Sequence, residues 1–138
     1  MPKLSTGLIA ELLEAWNAHD VEGVAALHAP DYEGVDVGEA TPQHGPEGIR
    51  QSLARYLLAF PDLHLTIEEP VAAGDRVVLT WTARGTHRGT LMHIPATGRG
   101  VVVRGVSLLT ISGGRVTRGL YIWDVAGLLR SLGLLPDL

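Results

Sequence analysis

Proton transfer is the chemistry that this sequence is best equipped to perform, because carboxylates and a phenol occur in and beside predicted strands. Asp36 alternates with Tyr32 in a brief extended run, so both side chains face the same side of that strand. Tyr121 and Asp124 lie in the stretch "GLYIWDVAGLL" near the end of the chain. A carboxylate in an apolar pocket can exchange protons near neutral pH, and a phenol can donate to a carbonyl, epoxide or enolate oxygen. Asp36 is thus a candidate general base, Asp124 a candidate acid, and Tyr121 a candidate hydrogen-bond donor.

Each of these residues also has a structural interpretation. Asp36 lies in the Gly-rich segment "GVDVGEATPQ", and Asp is common in turns. Tyr121 can be an aromatic wall residue whose hydroxyl is satisfied within the fold. Asp124 directly precedes "VAGLLRSLG", so it can cap a helix, and hydrogen bonds to its ionised form would oppose acid catalysis. His44, in "HGPEG", is either packing at a helix entrance or a pocket acid or base.

Metal and nucleotide chemistry have no support in the residue pattern. The sequence has no cysteine, which excludes thiolate metal sites, cysteine nucleophiles and disulfides. None of the 6 histidines has the close helical spacing of a zinc site. The segments "TGRG", "SGGR" and "EGVDVG" lack the glycine spacing of a phosphate loop. We expect neither a metal nor a cofactor.

Composition and charge limit the partners. With 138 residues, 46% of them hydrophobic, the chain is expected to form one domain over residues 1–138. Its formal charge of -4 is spread without a basic stripe, which argues against nucleic acid as a partner. No segment has the roughly 18 apolar residues of a membrane span, and the first residues lack the pattern of a signal peptide. We expect a cytoplasmic protein that acts on a small apolar organic substrate and does not engage membranes.

Helical periodicity predicts the elements of the first half of the chain. Apolar residues from Ile9 to Trp16 share one face of a first helix. Asp20 is expected to cap a second, shorter helix that Pro30 ends. A third helix is predicted in "HGPEGIRQSLARYLLAF", with Pro46 in its first turn.

Alternating periodicity predicts strands in the second half, where "AAGDRV" and "SGGR" read as turns. Together with the early run at 32–37, strands are expected near 63–67, 76–84 and 101–111, with a last strand before the helix that follows Asp124. This order is typical of an α+β domain in which helices cover a strongly curved antiparallel sheet and enclose an apolar pocket. The residues expected to line the pocket or fill the core are Trp16, Phe60, Trp81, Met92, Leu109, Trp123 and Leu128.

Nearly the whole chain resembles the SnoaL-like polyketide cyclases, within the cone-shaped superfamily typified by nuclear transport factor 2. The resemblance is carried by "EAWNAHD", "HGPEGIR", "AFPDLHLTIEE", "GDRVVLTWTARGTHRGTL", "IPATGR" and "DVAGLLRSLGLLP". It implies an NTF2-like cone and a cofactor-free intramolecular aldol condensation, in which a strand carboxylate exchanges protons with the help of a histidine and a glutamine. Those three family positions are occupied here by Tyr121, Ser107 and Gly105.

Three functions remain open from the sequence. The first is a cofactor-independent cyclase or isomerase of an apolar, oxygenated, polyketide-like intermediate, with Tyr121 as donor, Asp36 or His44 as proton acceptor, and Ser107 among the binding residues. The second is an epoxide hydrolase-like enzyme, for which Asp36 and Arg84 or Arg104 could supply part of a carboxylate and arginine arrangement. The third is a non-catalytic binding or dimerisation module, because a fold does not by itself imply chemistry.

We expect a homodimer or homotetramer under all three functions. Val102, Val106 and Leu108 alternate with the inward-facing positions of their strand, which places apolar side chains on the outer face of the sheet. An exposed apolar patch of this kind is typical of an interaction surface.

Overall fold

The computed structural model describes residues 2–137, with side chains from residue 7 onward. Within that range the chain forms 4 helices and 7 strands. In order they are α1 (Pro2–Asn17), α2 (Val21–Ala26), β1 (His28–Asp36), β2 (Gln43–His44), α3 (Gly45–Ala59), β3 (His64–Ile67), β4 (Val71–Ala73), β5 (Arg76–Thr86), β6 (Gly100–Ser112), β7 (Arg115–Trp123) and α4 (Val125–Ser131).

The two long helices are amphipathic and bury one face under the sheet. In α1, Ile9 and Leu12 are buried while Glu11 is exposed, as the spacing of apolar residues predicted. α3 begins with Pro46 in its first turn, where a missing amide hydrogen costs no intrahelical bond, and it buries Leu53 completely. The helices therefore form a layer against one side of the strands.

The second helix differs from the sequence prediction at its end. Asp20 caps α2 as expected, since its Oδ1 accepts a hydrogen bond from the Gly23 amide at 2.9 Å. The helix ends at Ala26, however, and Pro30 lies inside β1. The pairing of β1 with β7 is interrupted between His28 and Glu33, so a proline that cannot donate to the ladder is tolerated there.

The strands form one strongly curved sheet in the order β2-β1-β7-β6-β5-β3, with β4 also paired to β5. β5, β6 and β7 make the expected antiparallel meander. β1 runs parallel to β7 and so brings residues from early in the chain beside the last strand. The α+β cone predicted from the sequence is confirmed.

Two short strands were missed because two or three residues carry no periodic signal. β2 pairs with β1 through Gln43, and β4 pairs with β5 across a turn in which Gly74 has a φ of 61°. The segment "AAGDRV" is thus partly strand as well as turn. None of the helices in residues 2–137 is long and apolar enough to cross a bilayer.

Two apolar clusters fill the space between the sheet and the helices. The larger joins α1 and α3 to the inner faces of β5, β6 and β7, and Val24, Leu53, Val77 and Val116 are fully buried in it. The second lies toward α4, around Phe60, Val101, Leu128 and Leu132. Trp81 contacts both clusters and lies at their boundary, where the packing opens into a cavity.

Candidate active site

A cavity lies between the inner face of the curved sheet and the helices. The centre of a water molecule can move through about 160 Å³ of it. A single water needs roughly a tenth of that volume, so the cavity can hold an organic ligand. Its wall is mostly apolar and includes Trp16, Phe60, Leu79, Trp81, Leu109, Trp123 and Leu128.

Three polar side chains form a row across the inner face of three neighbouring strands. Tyr121 on β7 is the register partner of Asp36 on β1 and also of Ser107 on β6. Residues in register on adjacent strands are about 5 Å apart, so the row spans about 10 Å. All three side chains line the cavity, and Asp36 and Ser107 are buried. The parallel pairing of β1 with β7 is what brings the carboxylate to this row.

Asp36 is held in place by three hydrogen-bond donors. Its Oδ2 accepts from the Tyr56 hydroxyl at 2.8 Å, and its Oδ1 accepts from Trp123 Nε1 at 2.8 Å and from the Gly38 amide at 2.7 Å. Burial, followed by the negative charge of Asp36, raises the pKa of Tyr56, so this phenol remains a donor. A carboxylate oxygen has about two lone-pair sites, and Oδ2 uses one of them for Tyr56. The other has no hydrogen-bond partner among the described residues.

Tyr121 belongs to a hydrogen-bonded chain that passes through Tyr32 to Gln43 and Ser52, and the last two side chains also line the cavity. Its hydroxyl oxygen is 2.7 Å from that of Tyr32, and the Tyr32 hydroxyl is 2.7 Å from Gln43 Oε1. The Gln43 amide nitrogen is in turn 2.8 Å from Ser52 Oγ and 3.2 Å from Glu39 Oε2. Burial raises the pKa of both tyrosines, which therefore remain neutral phenols.

Glycines under the aromatic rings make this arrangement possible. A Cβ added to Gly119 would lie 2.3 Å from the Tyr121 hydroxyl oxygen, and one added to Gly34 would lie 2.1 Å from that of Tyr32. Each ring therefore lies along its own strand, over the residue two positions away. Gly34 and Gly119 are register partners, so the two gaps are adjacent and the two hydroxyls meet above them.

Ser107 is paired with a tryptophan at the other end of the row. Trp81 Nε1 donates to Ser107 Oγ at 2.9 Å, and no acceptor for the Ser107 hydrogen is found among the described residues. A Cβ on Gly105 would lie 2.3 Å from the Trp81 ring, so glycine at this position lets the indole lie flat against β6 and reach the serine. The ring thus occupies the space of the side chain that Gly105 lacks.

His28 is a cavity residue that the sequence interpretation missed. It is 3% exposed, and its Nδ1 lies 2.8 Å from the Val24 carbonyl oxygen. A carbonyl can only accept, so Nδ1 carries the hydrogen and Nε2 is left as an acceptor. Burial lowers the pKa of His28 to about 4, opposed by the hydrogen bond to Val24, so the ring is neutral at physiological pH.

Three of the residues selected from the sequence lie outside the cavity. Asp124 is exposed and caps α4, with its Oδ1 accepting from the Gly127 amide at 2.8 Å. His44 has a side chain that is 72% exposed, and it faces Glu33 at 3.8 Å. Met92 is absent from the cavity wall and packs against the second apolar cluster, in a loop where its φ is 51°. These three residues lie at a helix cap, a helix entrance and an irregular loop. At such positions the spacing of residues in the sequence does not indicate which way a side chain points.

The two candidate arginines lie in different places. Arg104 is on the outer face of the sheet, beside Glu68 and Asp124, whereas Arg84 is exposed and is also among the residues that line the cavity. Among the described residues, neither arginine forms a hydrogen bond or ion pair with Asp36, which the arrangement of the epoxide hydrolase alternative would require. Within the described part of the chain, no three His, Asp or Glu side chains come together as a metal site would require.

Sequence comparison agrees with the geometry. The model of the SnoaL-like polyketide cyclase family matches residues 8–132 of this chain. The chain belongs to the SnoaL-like family. A search of the curated proteins found no match.

Solved structures place the chain among other SnoaL-like and related folds. AclR, a candidate hydroxylase from Streptomyces galilaeus, is 31% identical with a TM-score of 0.84, and the match covers 96% of this chain and 87% of that one. IdmH, a candidate polyketide cyclase from Streptomyces antibioticus, is 32% identical with a TM-score of 0.79, covering 93% and 97%. A protein of ketosteroid isomerase-like fold from Catenulispora acidiphila shares the fold at 23% identity, with a TM-score of 0.79 over 93% of each chain.

The resemblance assigns the family's three functional positions to Tyr121, Ser107 and Gly105 of this SnoaL-like chain, and each of the three has a defined place in the structure. Tyr121 and Ser107 both line the cavity, while Gly105 makes room for the Trp81 ring. The carboxylate of the polar row comes from Asp36 on the neighbouring parallel strand instead. The polar row is therefore assembled from β1, β6 and β7.

Proposed function

We propose that this chain is a cofactor-independent cyclase or isomerase that acts on an apolar, oxygenated, polyketide-like substrate in the cavity. The observation that carries the proposal is the buried Asp36 carboxylate, which lines a mostly apolar cavity and is held by three donors. A carboxylate positioned in a mostly apolar cavity is suited to abstract a proton next to a carbonyl group. Membership of the SnoaL-like family supports the same class of reaction.

The proposed step conserves atoms and electrons without a co-reactant. Asp36 Oδ2 takes a proton from the carbon beside a substrate carbonyl, and the C–H electron pair becomes an enolate. The Ser107 hydroxyl donates to a substrate carbonyl oxygen, where negative charge develops. The enolate carbon then bonds to a second carbonyl carbon of the same molecule, and Asp36 returns the proton to the new alkoxide. In an isomerisation the proton returns to a different carbon.

Deuterium exchange on a simple ketone tests the proton transfer without knowledge of the natural substrate. We expect the protein to accelerate exchange at the α-carbon of 2-tetralone in D₂O, followed by proton NMR, above the rate in buffer. Asp36→Asn should reduce the acceleration about 100-fold or more, since it removes the base. Asp124→Asn is the matched control, because it changes a carboxylate outside the cavity, and it should keep the wild-type rate.

Two results would reject the proposal. An Asp36→Asn protein that exchanges at the wild-type rate would show that Asp36 is not the base. A wild-type protein that binds 2-tetralone but gives no acceleration would favour the non-catalytic binding module. Once a substrate is found, product formed in ¹⁸O-labelled water should contain no new oxygen from water, whereas an epoxide hydrolase would incorporate it.

We further propose that the outer face of the sheet joins two copies of this chain in a homodimer. Val35, Val106 and Ile122 are 49%, 39% and 51% exposed and form an apolar centre on adjacent strands. Both signs of charge surround that centre, with Arg104 and Glu68 among them. A twofold axis can place unlike charges opposite each other, which makes a second copy the partner that fits this surface.

A further inference from the structure

A chain of hydrogen bonds runs from the protein surface to the cavity, and its direction can be deduced. The surface end is Glu39, whose carboxylate forms an ion pair with the guanidinium of Arg55. An ionised carboxylate has no hydrogen to give, so every group facing Glu39 must donate to it. Ser52 Oγ lies 2.8 Å and 2.9 Å from the two Glu39 oxygens, and its single hydrogen is therefore directed at Glu39.

The orientation of the Gln43 amide follows from the same carboxylate. One side of the amide faces Glu39 Oε2 at 3.2 Å and Ser52 Oγ at 2.8 Å. The reverse orientation would place the amide oxygen against the carboxylate and against the Ser52 oxygen, whose only hydrogen is already directed at Glu39. The amide nitrogen therefore faces Glu39 and Ser52, and the amide oxygen faces Tyr32.

The two phenols then have only one arrangement of hydrogens. The Tyr32 hydroxyl donates its single hydrogen to Gln43 Oε1 at 2.7 Å. The 2.7 Å contact between Tyr32 and Tyr121 must consequently use the hydrogen of Tyr121. Tyr121 thus directs its hydrogen away from the cavity and keeps only a lone pair for a ligand.

The same polarity holds at the neighbouring position of the row. Asp36 is an acceptor, and the hydrogens of Tyr56 and Trp123 are already directed at it. Ser107 has the opposite polarity, because it accepts from Trp81 and keeps its own hydrogen for the cavity. One end of the row accepts hydrogen bonds, and the other end donates one.

We infer that the substrate binds with a hydroxyl or enol hydrogen at Tyr121 and with a carbonyl oxygen at Ser107, which leaves Asp36 Oδ2 for the proton of the reacting carbon, and that Gln43 selects this orientation by fixing the hydrogen of Tyr32. This inference rests on the proposed function for the location of the substrate. It replaces the donor role of Tyr121 expected from the sequence with an acceptor role. The substrate class is an apolar hydroxy- or enol-carbonyl compound, and Gln43 is a positioning residue that does not itself react.

A pair of ligands that differ only in a hydrogen tests the inference by equilibrium binding. We expect 2-naphthol to bind to the full chain about tenfold more tightly than 2-methoxynaphthalene, measured by ligand fluorescence or calorimetry, since only the naphthol donates to an acceptor otherwise left unpaired. A purely apolar cavity would favour the methyl ether, which is the less polar ligand. Equal or tighter binding of the ether to the wild-type protein would overturn the inference.

Gln43→Leu tests the positioning role. It removes the acceptor for Tyr32, so Tyr32 can donate to Tyr121 and the hydrogen of Tyr121 can turn toward the cavity. The affinity ratio of naphthol to ether should fall, because the ether oxygen can then accept from Tyr121, whereas Asp36 is still an acceptor for the naphthol in both proteins. A merely structural role of Gln43 would weaken both ligands and leave the ratio at its wild-type value, and that result would overturn the assignment.

A second variant covers the case in which Gln43→Leu does not fold. Tyr32→Phe removes the oxygen to which Tyr121 donates, and it should lower the ratio in the same direction. Thr117→Val is the control, because Thr117 donates to the Thr110 carbonyl at 3.2 Å and does not line the cavity, so the ratio should stay unchanged. If Tyr32→Phe keeps the wild-type ratio, the inference is wrong.

Failure of this inference and failure of the proposed function are distinguishable. The affinity ratio requires no turnover, whereas deuterium exchange requires no hydroxyl on the ligand. If the naphthol does not bind more tightly than the ether but deuterium exchange depends on Asp36, only the inferred direction of the hydrogen bonds is rejected. A clear ratio without exchange would reject only the catalytic role of Asp36.

Discussion

The inner and outer faces of the same three strands have opposite characters. Along β7, Tyr121 faces the cavity while its neighbour Ile122 is exposed on the outer surface. On β1 the same alternation separates the buried Asp36 from the exposed Val35. At these two places the polar group is on the enclosed side and the apolar group on the open side, which is the reverse of an ordinary half-buried sheet.

This reversal indicates that each face has its own role. A buried carboxylate costs free energy unless donors satisfy it, and Asp36 has three. An exposed apolar patch is unfavourable in water unless another surface covers it. The inner face is therefore suited to a ligand, and the outer face is the surface on which we propose that a second copy of the chain binds.

The strongest way to break this comparison is to place a charge on the outer face. In the proposed twofold dimer Ile122→Lys introduces two lysines, so we expect dimerisation to weaken about a thousandfold, or ~4 kcal/mol. Sedimentation velocity over a range of concentrations measures this change. Tyr121→Phe, one residue away on the inner face, should leave the oligomeric mass from sedimentation unchanged. A wild-type monomer, or an unaffected Ile122→Lys dimer, would contradict the outer-face assignment.

Acid should destabilise the inner side through His28. Burial holds the pKa of His28 at about 4 in the folded state, below its ordinary value of 6.5, so the unfolded chain binds a proton first as the pH falls. The free energy of unfolding is therefore highest above pH ~6.5 and decreases by about 3 kcal/mol as the pH falls toward 4. Urea unfolding of wild type and His28→Gln across this range should show the pH slope shrinking in the variant. His44→Gln, at an exposed histidine, should keep the wild-type slope.

A methyl group added under Trp81 should lower the free energy of unfolding by less than the protonation of His28 does. A methyl group added to the same strand away from the ring should have little effect. Gly105→Ala would place a Cβ 2.3 Å from the indole ring, so we expect a loss of about 1–3 kcal/mol in the free energy of unfolding. Gly100→Ala, on the same strand with nothing within 4 Å, should be neutral or slightly stabilising. Urea denaturation compares the two, and equal effects would argue against tight packing at Gly105.

The smallest expected effect is a loss of stability in an Asp124 variant, and it distinguishes the role of Asp124 from that of Asp36. Asp124→Ala removes the cap of α4 and should lower stability by about 1 kcal/mol, while leaving the α-proton exchange rate unchanged. Thermal unfolding and the exchange assay measure the two effects. A large loss of exchange in this variant would mean that the outer carboxylate takes part in the reaction.

The long elements were predictable from the sequence, whereas the short ones were not. α1, α3 and the meander of β5, β6 and β7 extend over enough residues for their periodicity to be read. β2 and β4 are too short for a period, and the parallel pairing of β1 with β7 depends on contacts between residues about 90 positions apart. Pairing across the chain is a property of the whole fold.

The candidate site was predictable only in part for the same reason. The alternation in β1 and β7 indicated which side chains share a face but not which face is inward, and in the structure Asp36 and Tyr121 line the cavity. One of the three donors to Asp36 comes from α3, and the glutamine that orients Tyr32 comes from β2. Neither Tyr56 nor Gln43 has a neighbour in sequence that would mark it as functional. A signal was available at His28, an isolated polar residue between apolar ones, but its partner is a backbone carbonyl.

The glycines beneath the tyrosine rings have a consequence for how this site can change over evolution. Gly34 and Gly119 make no polar contact through a side chain, yet the space above them decides where the two hydroxyls point. A single added carbon at either position would re-aim a phenol without altering any chemical group in the cavity. New ligand preferences are therefore accessible through residues that never touch the ligand.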